Sequence, residues 1–317
     1  MDGLQAPMSE LMVRCEKNDP EALYLMGRVY YDGIGVRKDP EVAAEFIRRS
    51  AESGYAEAEY TYGYFCCYGI GVPTDKISTI HWYRKAANQG YVEAQYGLGY
   101  MCDNGEGIAV NKMEAAKWYH LAAAKGHAAA QCNLGNLYYN GWGVRPDKTE
   151  AFRLFSESAA QGNLDAMFNI GRMYELGDGV EKDDEKALKF YAEAAQHGDA
   201  QSLFSLGTRY LTGNGVRLDE EFAARMLSIS AEKGNSDAQY SLGAMYMQGI
   251  GVEKDPFHAA KLFTMAAQNW NAGAIYHLGV LYLQGSGVRK DDVRGRALIR
   301  FAAELGDPDA IDSIARE

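Results

Sequence analysis

The chain has 317 residues, 47% hydrophobic and 24% charged, enough to bury a sizeable core. Its 43 acidic and 32 basic residues give a net charge of −11, which argues against binding a nucleic-acid backbone, since that needs clustered cations. No apolar run approaches the roughly 18–20 residues of a membrane span, and the first residues lack the basic and apolar regions of a secretory leader, so membrane insertion and secretion are disfavoured.

Met8 to Lys17 reads as a lone helix, with Leu11 and Cys15 on its apolar side. From residue 19 the chain repeats itself. Gly27, Gly63, Gly99, Gly135, Gly171, Gly207, Gly243 and Gly279 follow one another at 36-residue steps. Parallel series start at Gly33, Gly35 and Gly54, the last broken only at Trp270, and together they hold nearly all of the 35 glycines. A fixed period of about 20–50 residues marks a repeat array and replaces the two-domain prior that length alone would give.

The fifth copy shows the pattern. Ala166, Ile170, Gly171 and Tyr174 share one face of a helix of about three turns. Gly177 stands where a left-handed C-terminal residue is needed, and Val180 can fold back onto the core. Asp183 is the expected N-cap of a second helix that carries Ala187, Phe190, Tyr191, Ala194 and Ala195 and ends near Gly198. Pro40 and Pro256, after Asp39 and Asp255, fit the first helical position. The Gly27 series predicts close approach of paired helices, with Ala51 and its equivalents at one slot of the second helix and aromatics such as Trp82, Tyr83, Trp118 and Tyr119 between.

At the C-terminus, residues 308–316 read as a first helix alone, with Ala310 and Ile314 in register. The expected organisation is an N-terminal capping half-repeat (1–18), eight complete repeats forming one solenoid domain (19–307) and a C-terminal capping half-repeat (308–317), about eighteen helices in all. Half-units at both ends suit an array that must cover its terminal apolar faces.

The string Ala238-Gln-Tyr-Ser-Leu242-Gly243-Ala-Met-Tyr246-Met-Gln-Gly249-Ile-Gly251-Val252-Glu-Lys-Asp255 resembles the Sel-one-like repeat family, and the resemblance covers about residues 19–307. Departures are local: Cys66 and Cys102 for Tyr, Ile108 and Asn111 for Val and Asp, and Thr79, Gly295 and Trp270 at helix or turn slots. The resemblance implies an all-α, right-handed superhelical α-solenoid, tetratricopeptide-like in its helix-turn-helix repeats. It also implies a protein-interaction scaffold or adaptor of the kind found in bacterial envelope and host-interaction systems and in eukaryotic quality-control complexes. Members are generally not enzymes.

Sharper chemistry finds little support. The G-x-G motifs follow helices, whereas a dinucleotide fingerprint follows a strand, so they read as turns. Cys15, Cys66, Cys67, Cys102 and Cys132 form no C-x-x-C pair or zinc set, and the paired cysteines that bridge helices in some family members are missing. They read as buried free thiols, which points to a reducing compartment, hence the cytoplasm, unless a leader was removed. His81, His120, His127, His197, His258 and His277 occupy different slots. No catalytic residue, metal ligand or cofactor-binding residue is expected, and no cofactor.

In tetratricopeptide-like arrays the first helix of each pair lines the concave groove. By that analogy Tyr24, Tyr60, Tyr96, Phe168, Phe204, Tyr240 and Tyr276 floor the groove, with Cys132 the exception. The variable slots are aromatic and polar in the N-terminal half and aliphatic in the C-terminal half. Arg28, Tyr31, Tyr64, Tyr100, Asn133, Asn136, Tyr139, Asn140, Asn169 and Arg172 are the candidate contacts of a protein or peptide partner. The asparagine amides suit an extended peptide backbone and Arg172 a carboxylate, although Cys132 stands where the clamp lysine of tetratricopeptide domains would fall. The leading expectation is a non-catalytic scaffold. The alternatives are an exported bacterial envelope or host-interaction factor of the same fold, and a hydrolase of the kind attributed to cysteine-rich relatives.

Overall fold

The structure is a computed structural model that describes residues 8–316. The first seven residues of the expected N-terminal half-repeat, part of the segment read for a leader, and Glu317 lie outside the described residues. Among the described residues there are eighteen α-helices and no strand. They fall into two compact units that divide after Asn163, between the fourth and fifth of the expected repeats.

The first unit begins with α1 (Met8–Glu16) and continues through four pairs: α2 (Pro20–Asp32) with α3 (Pro40–Glu52), α4 (Ala56–Tyr68) with α5 (Lys76–Asn88), α6 (Val92–Asn104) with α7 (Lys112–Ala123), and α8 (Ala128–Asn140) with α9 (Lys148–Ala159). The second unit pairs α10 (Leu164–Leu176) with α11 (Asp184–Gln196), α12 (Ala200–Thr212) with α13 (Glu220–Glu232), α14 (Ser236–Gln248) with α15 (Pro256–Gln268), and α16 (Ala272–Gln284) with α17 (Asp292–Glu304), and ends with α18 (Pro308–Ala315). Within each unit every helix packs on the next in sequence, as in a repeat solenoid.

The caps fix the helix boundaries. The Asp39 carboxylate accepts from the amides of Glu41 and Val42, and Asp183 from that of Lys186 at 2.9 Å. Asn111 serves equally well, accepting from Glu114 at 3.0 Å. First helices end on a glycine in the left-handed region, such as Gly33 at φ 77°. Trp270 holds φ 61° at a slot given to glycine in most copies, with its ring against Phe301, so the turn geometry survives the substitution.

The Gly27 series is a packing requirement. A Cβ at Gly99 would lie 2.7 Å from the Tyr119 ring, and at Gly135, Gly171 and Gly243 it would meet Phe155, Tyr191 and Phe263 equally closely. Each partner sits twenty residues on, at one slot of the second helix. Those four rings are fully buried, so backbone and ring meet with no room for a methyl between them. At the termini Leu11, Cys15 and Ala310 are buried, while Ile314, though in register, stays 38% exposed because no helix among the described residues packs over it.

Candidate functional site

The outward slots of the first helices in the first unit carry most of the expected contacts. α2 and α4 lie side by side in the repeat order, and between them is a cavity of about 270 Å³. Its floor is Gly27, Ile47 and Phe65, all buried. Tyr24, Tyr31, Tyr60 and Tyr64 wall it, and Arg28, Asp32 and Thr61 complete the lining. Gly27 lets α2 pack closely on Ile47 of α3, where a Cβ would lie 2.6 Å from the isoleucine side chain. Three expected contact residues, Arg28, Tyr31 and Tyr64, thus converge on one site.

The aromatic slot mainly packs. Tyr60 stacks on Tyr83 with centroids 5.1 Å apart and meets Tyr91 at 5.2 Å; Tyr96 stacks on His127 at 4.5 Å; Phe168 meets Tyr191 at 5.6 Å. Tyr24 is buried and donates its hydroxyl to Glu57 at 3.1 Å, and burial pushes its phenol pKa up. What remains open are the slots beside it. Tyr64 is 38% and Tyr100 43% exposed, and Tyr64 packs against Tyr68 at 4.6 Å. Arg28 reaches Asp32 only loosely, at 3.6 Å, and Lys38 lies 5.1 Å over the Tyr31 ring.

Two asparagines of the expected cluster make hydrogen bonds within the protein. Asn140 donates its amide to the carbonyl of Asn136 at 2.8 Å, tying off the end of its own helix. Asn133 donates to the Tyr119 hydroxyl at 3.2 Å, which donates in turn to Asp103, the partner of Lys112 at 2.7 Å. One N–H of each of these two amides is therefore used in a bond within the protein. Asn136 and Tyr139 lie on the same helix, α8, with Lys148 5.3 Å from the Tyr139 ring. Asn169 and Arg172 belong to α10 of the second unit.

Four of the five free cysteines are buried, as expected; Cys67 is the exception, half-buried with Lys76 Nζ 3.2 Å from its sulfur. Burial pushes the Cys102 thiol up to about 11. A second cavity, of about 460 Å³, opens where Ala116 of α7 faces Tyr138 and Leu134 of α8. Ile80 and Phe152 occupy the same slot in neighbouring copies. No group of three or more potential ligand side chains occurs among the described residues, and no described helix is long and apolar enough to cross a membrane.

Sequence reasoning passed over Arg209. It is 3% exposed, at a slot held by Val29, Phe65, Met101, Leu137, Met173, Met245 and Leu281 in the other copies. Its Nη2 lies 2.8 Å from Glu175 and 3.7 Å from Asp184, and its guanidinium lies 5.6 Å over Tyr191, whose hydroxyl also donates to Glu175 at 2.7 Å. The one charge in an otherwise apolar column was the available signal.

Comparison with known proteins agrees with this architecture. A family model described as Sel1 repeat matches eight consecutive segments, 20–55, 56–91, 92–127, 128–163, 164–199, 200–235, 236–269 and 272–307. The crystal structure of c5321, described as a protective antigen present in uropathogenic Escherichia coli strains displaying an SLR fold, is 35% identical with a TM-score of 0.78. It covers 96% of this chain, which spans 66% of that protein's length. A Sel1 repeat protein from Oxalobacter formigenes is 29% identical with a TM-score of 0.73, over 98% of this chain and 90% of its own. No protein of curated function matches the chain.

Proposed function

The chain belongs to the Sel1 repeat family, and we propose that it is a non-catalytic scaffold that holds a protein or peptide partner against the first helices of its repeats. The observation that carries this reading is the tyrosine-walled cavity between α2 and α4, where Arg28, Tyr31 and Tyr64 converge over an apolar floor. Tyrosine combines large area, few rotors and a polar tip, and arginine adds a planar fork of donors, the composition of a binding hot spot. The cavity can bury one large side chain of a partner. Tyr100 on α6, 43% exposed, extends the surface beyond it.

The test is affinity capture from the source cell, comparing wild type with a variant carrying Arg28→Ala, Tyr31→Ala and Tyr64→Ala, after circular dichroism confirms equal helicity. A partner retained by the wild type and lost by the variant supports the reading and its site. Retention by both moves the site elsewhere on the surface and sinks this assignment.

A second reading is an exported envelope or host-interaction factor of the same fold. It draws on the 35% identity with an Escherichia coli protective antigen. Fractionation of the source cell separates the two: recovery with the soluble interior favours a cytoplasmic scaffold, which also suits the buried thiols, and recovery outside the inner membrane favours export.

A further inference from the structure

In the copy before α7 the slot of Ala116 holds Ile80, which is buried and whose Cδ1 reaches the turn at Gly107, the counterpart of Gly143. Alanine at 116 ends at its Cβ, and a cavity of about 460 Å³ lies between α7, α8 and the turn at Gly143. Ala116 and Leu134, both buried, form its floor, and Met113, Leu121, Tyr138 and Val144 wall it. A volume within about 300–1,000 Å³, apolar walls and a few polar groups are the marks of a small-molecule site. It shares no residue with the tyrosine cavity, whose lining comes from α2, α3 and α4.

Among the described residues that line this cavity, Lys117 is the one charged side chain and none is a carboxylate. The carboxylates of the surrounding elements are held by other groups. Glu114 lines an adjoining recess with Lys117 and lies 3.5 Å from Arg84. Glu150, within electrostatic reach of His120, pairs with Arg153 at 2.6 Å, and Glu157 pairs with the same guanidinium. Asp147 caps α9 by accepting from the Glu150 amide, and Asp103 pairs with Lys112 at 2.7 Å. The apolar space thus opens beside an ammonium whose neighbouring carboxylates are engaged elsewhere.

We propose that this cavity binds a small aliphatic monocarboxylate, its chain among Met113, Leu121, Leu134 and Val144 and its carboxylate at the Lys117 ammonium. The proposal adds a second site and does not depend on the partner-binding reading above. Burial of the chain supplies the affinity, and the unbranched, adaptable methionine suits an alkyl chain. The lysine selects the sign of the head group, a choice worth about fivefold at an exposed side chain. Apart from Lys117, His120 and Tyr138 the lining offers no polar side chain to pair with peptide amides, which favours a free acid over the end of a polypeptide.

The test is isothermal titration calorimetry of the full chain with octanoate, octylammonium and a triglycyl-leucine peptide with a free carboxylate. Proteins are the wild type, Ala116→Ile, Lys117→Glu and Tyr64→Ala. Octanoate is expected to bind the wild type about fivefold or more tightly than octylammonium, a preference that shrinks with added salt and reverses in Lys117→Glu. Both probes should lose about tenfold or more in Ala116→Ile, which places the side chain used at 80 inside the cavity, and neither should change in Tyr64→Ala. Lys117→Glu alters an exposed side chain and keeps the test decisive if Ala116→Ile fails to fold. Binding that survives in folded Ala116→Ile, or that is lost in Tyr64→Ala, places the acid elsewhere and overturns the proposal. Octylammonium binding as tightly as octanoate overturns the role of Lys117, a tighter peptide overturns the free acid, and no binding by any probe overturns the site. The capture comparison decides the partner-binding reading independently of all of these.

Discussion

Arg209 Nη2 lies 2.8 Å from Glu175 Oε1 in a column where every other copy is apolar. Removing one partner of such a pair leaves a buried charge uncompensated, whereas replacing the buried member by a hydrophobe of similar volume is often neutral or stabilising. Glu175→Gln should therefore lower unfolding stability by about 2 kcal/mol, less than for a fully buried pair because the Glu175 side chain is 32% exposed. Arg209→Met, which installs the residue found at 101, 173 and 245, should be neutral or stabilising. Urea denaturation of both variants checks the pair of signs; a large loss in Arg209→Met would show that the ion pair itself holds the second unit together.

Gly171→Ala makes a sharper case because helix propensity and packing disagree. Alanine in a helix interior is favoured by about 1 kcal/mol over glycine. Here its Cβ would lie 2.7 Å from Tyr191 Cε1, inside a fully packed contact. Overpacking costs about 1–3 kcal/mol or more, so a net loss on the order of 2 kcal/mol is expected in denaturant unfolding. A gain would mean that the ring has room to retreat.

His127 gives a pH signature. Its ring stacks on Tyr96, its Nδ1 accepts from the amide of Ala130 at 3.1 Å, and burial lowers its pKa below 6.5. The unfolded chain then takes up the proton first, so stability is fully present above about pH 6.5 and falls as pH drops towards the depressed folded value. Paired carboxylates such as Asp19, lowered by Arg14, act only in a more acidic range, below their ordinary values of about 4. His127→Asn keeps a capping residue already used at 235 and 271, and should flatten the stability profile between pH 6.5 and the acidic range. An unchanged profile would assign that slope to another group.

Ala116→Ile should stabilise the first unit by about 1 kcal/mol, by filling part of the open cavity against Tyr138 as Ile80 fills the matching space in the preceding copy. A higher midpoint in thermal unfolding is the expected result; a lower one would show that the α7–α8 gap is narrower than the isoleucine side chain.

The fold was legible because its causes are local and repeat at a fixed interval. Glycine at 171 and tyrosine at 191, aspartate at 183 and glycine at 177 each answer one steric or hydrogen-bonding demand, and eight repetitions turn a weak signal into an unmistakable one. The surface was legible only in part. Arg28, Tyr31 and Tyr64 could be placed together because they share or adjoin variable slots in neighbouring copies. The hydrogen bonds of Asn133 and Asn140 could not be foreseen: slot position fixes where an amide starts, and rotamer choice among close neighbours fixes where it ends. Arg209 is harder to read because its information lies in a slot where residues hardly vary, not in the slots that vary freely.

The glycine–ring contact joins two positions twenty residues apart, well inside a single period, and the caps lie within the same span. Excising residues 92–127 would therefore remove one complete Gly99–Tyr119 lock and sever none of the others. The chain behaves as text written in whole words, which can lose or gain a copy by recombination without rewriting the letters on either side. The length of its reading surface is thereby open to change in discrete steps, independently of the residues that choose what is read.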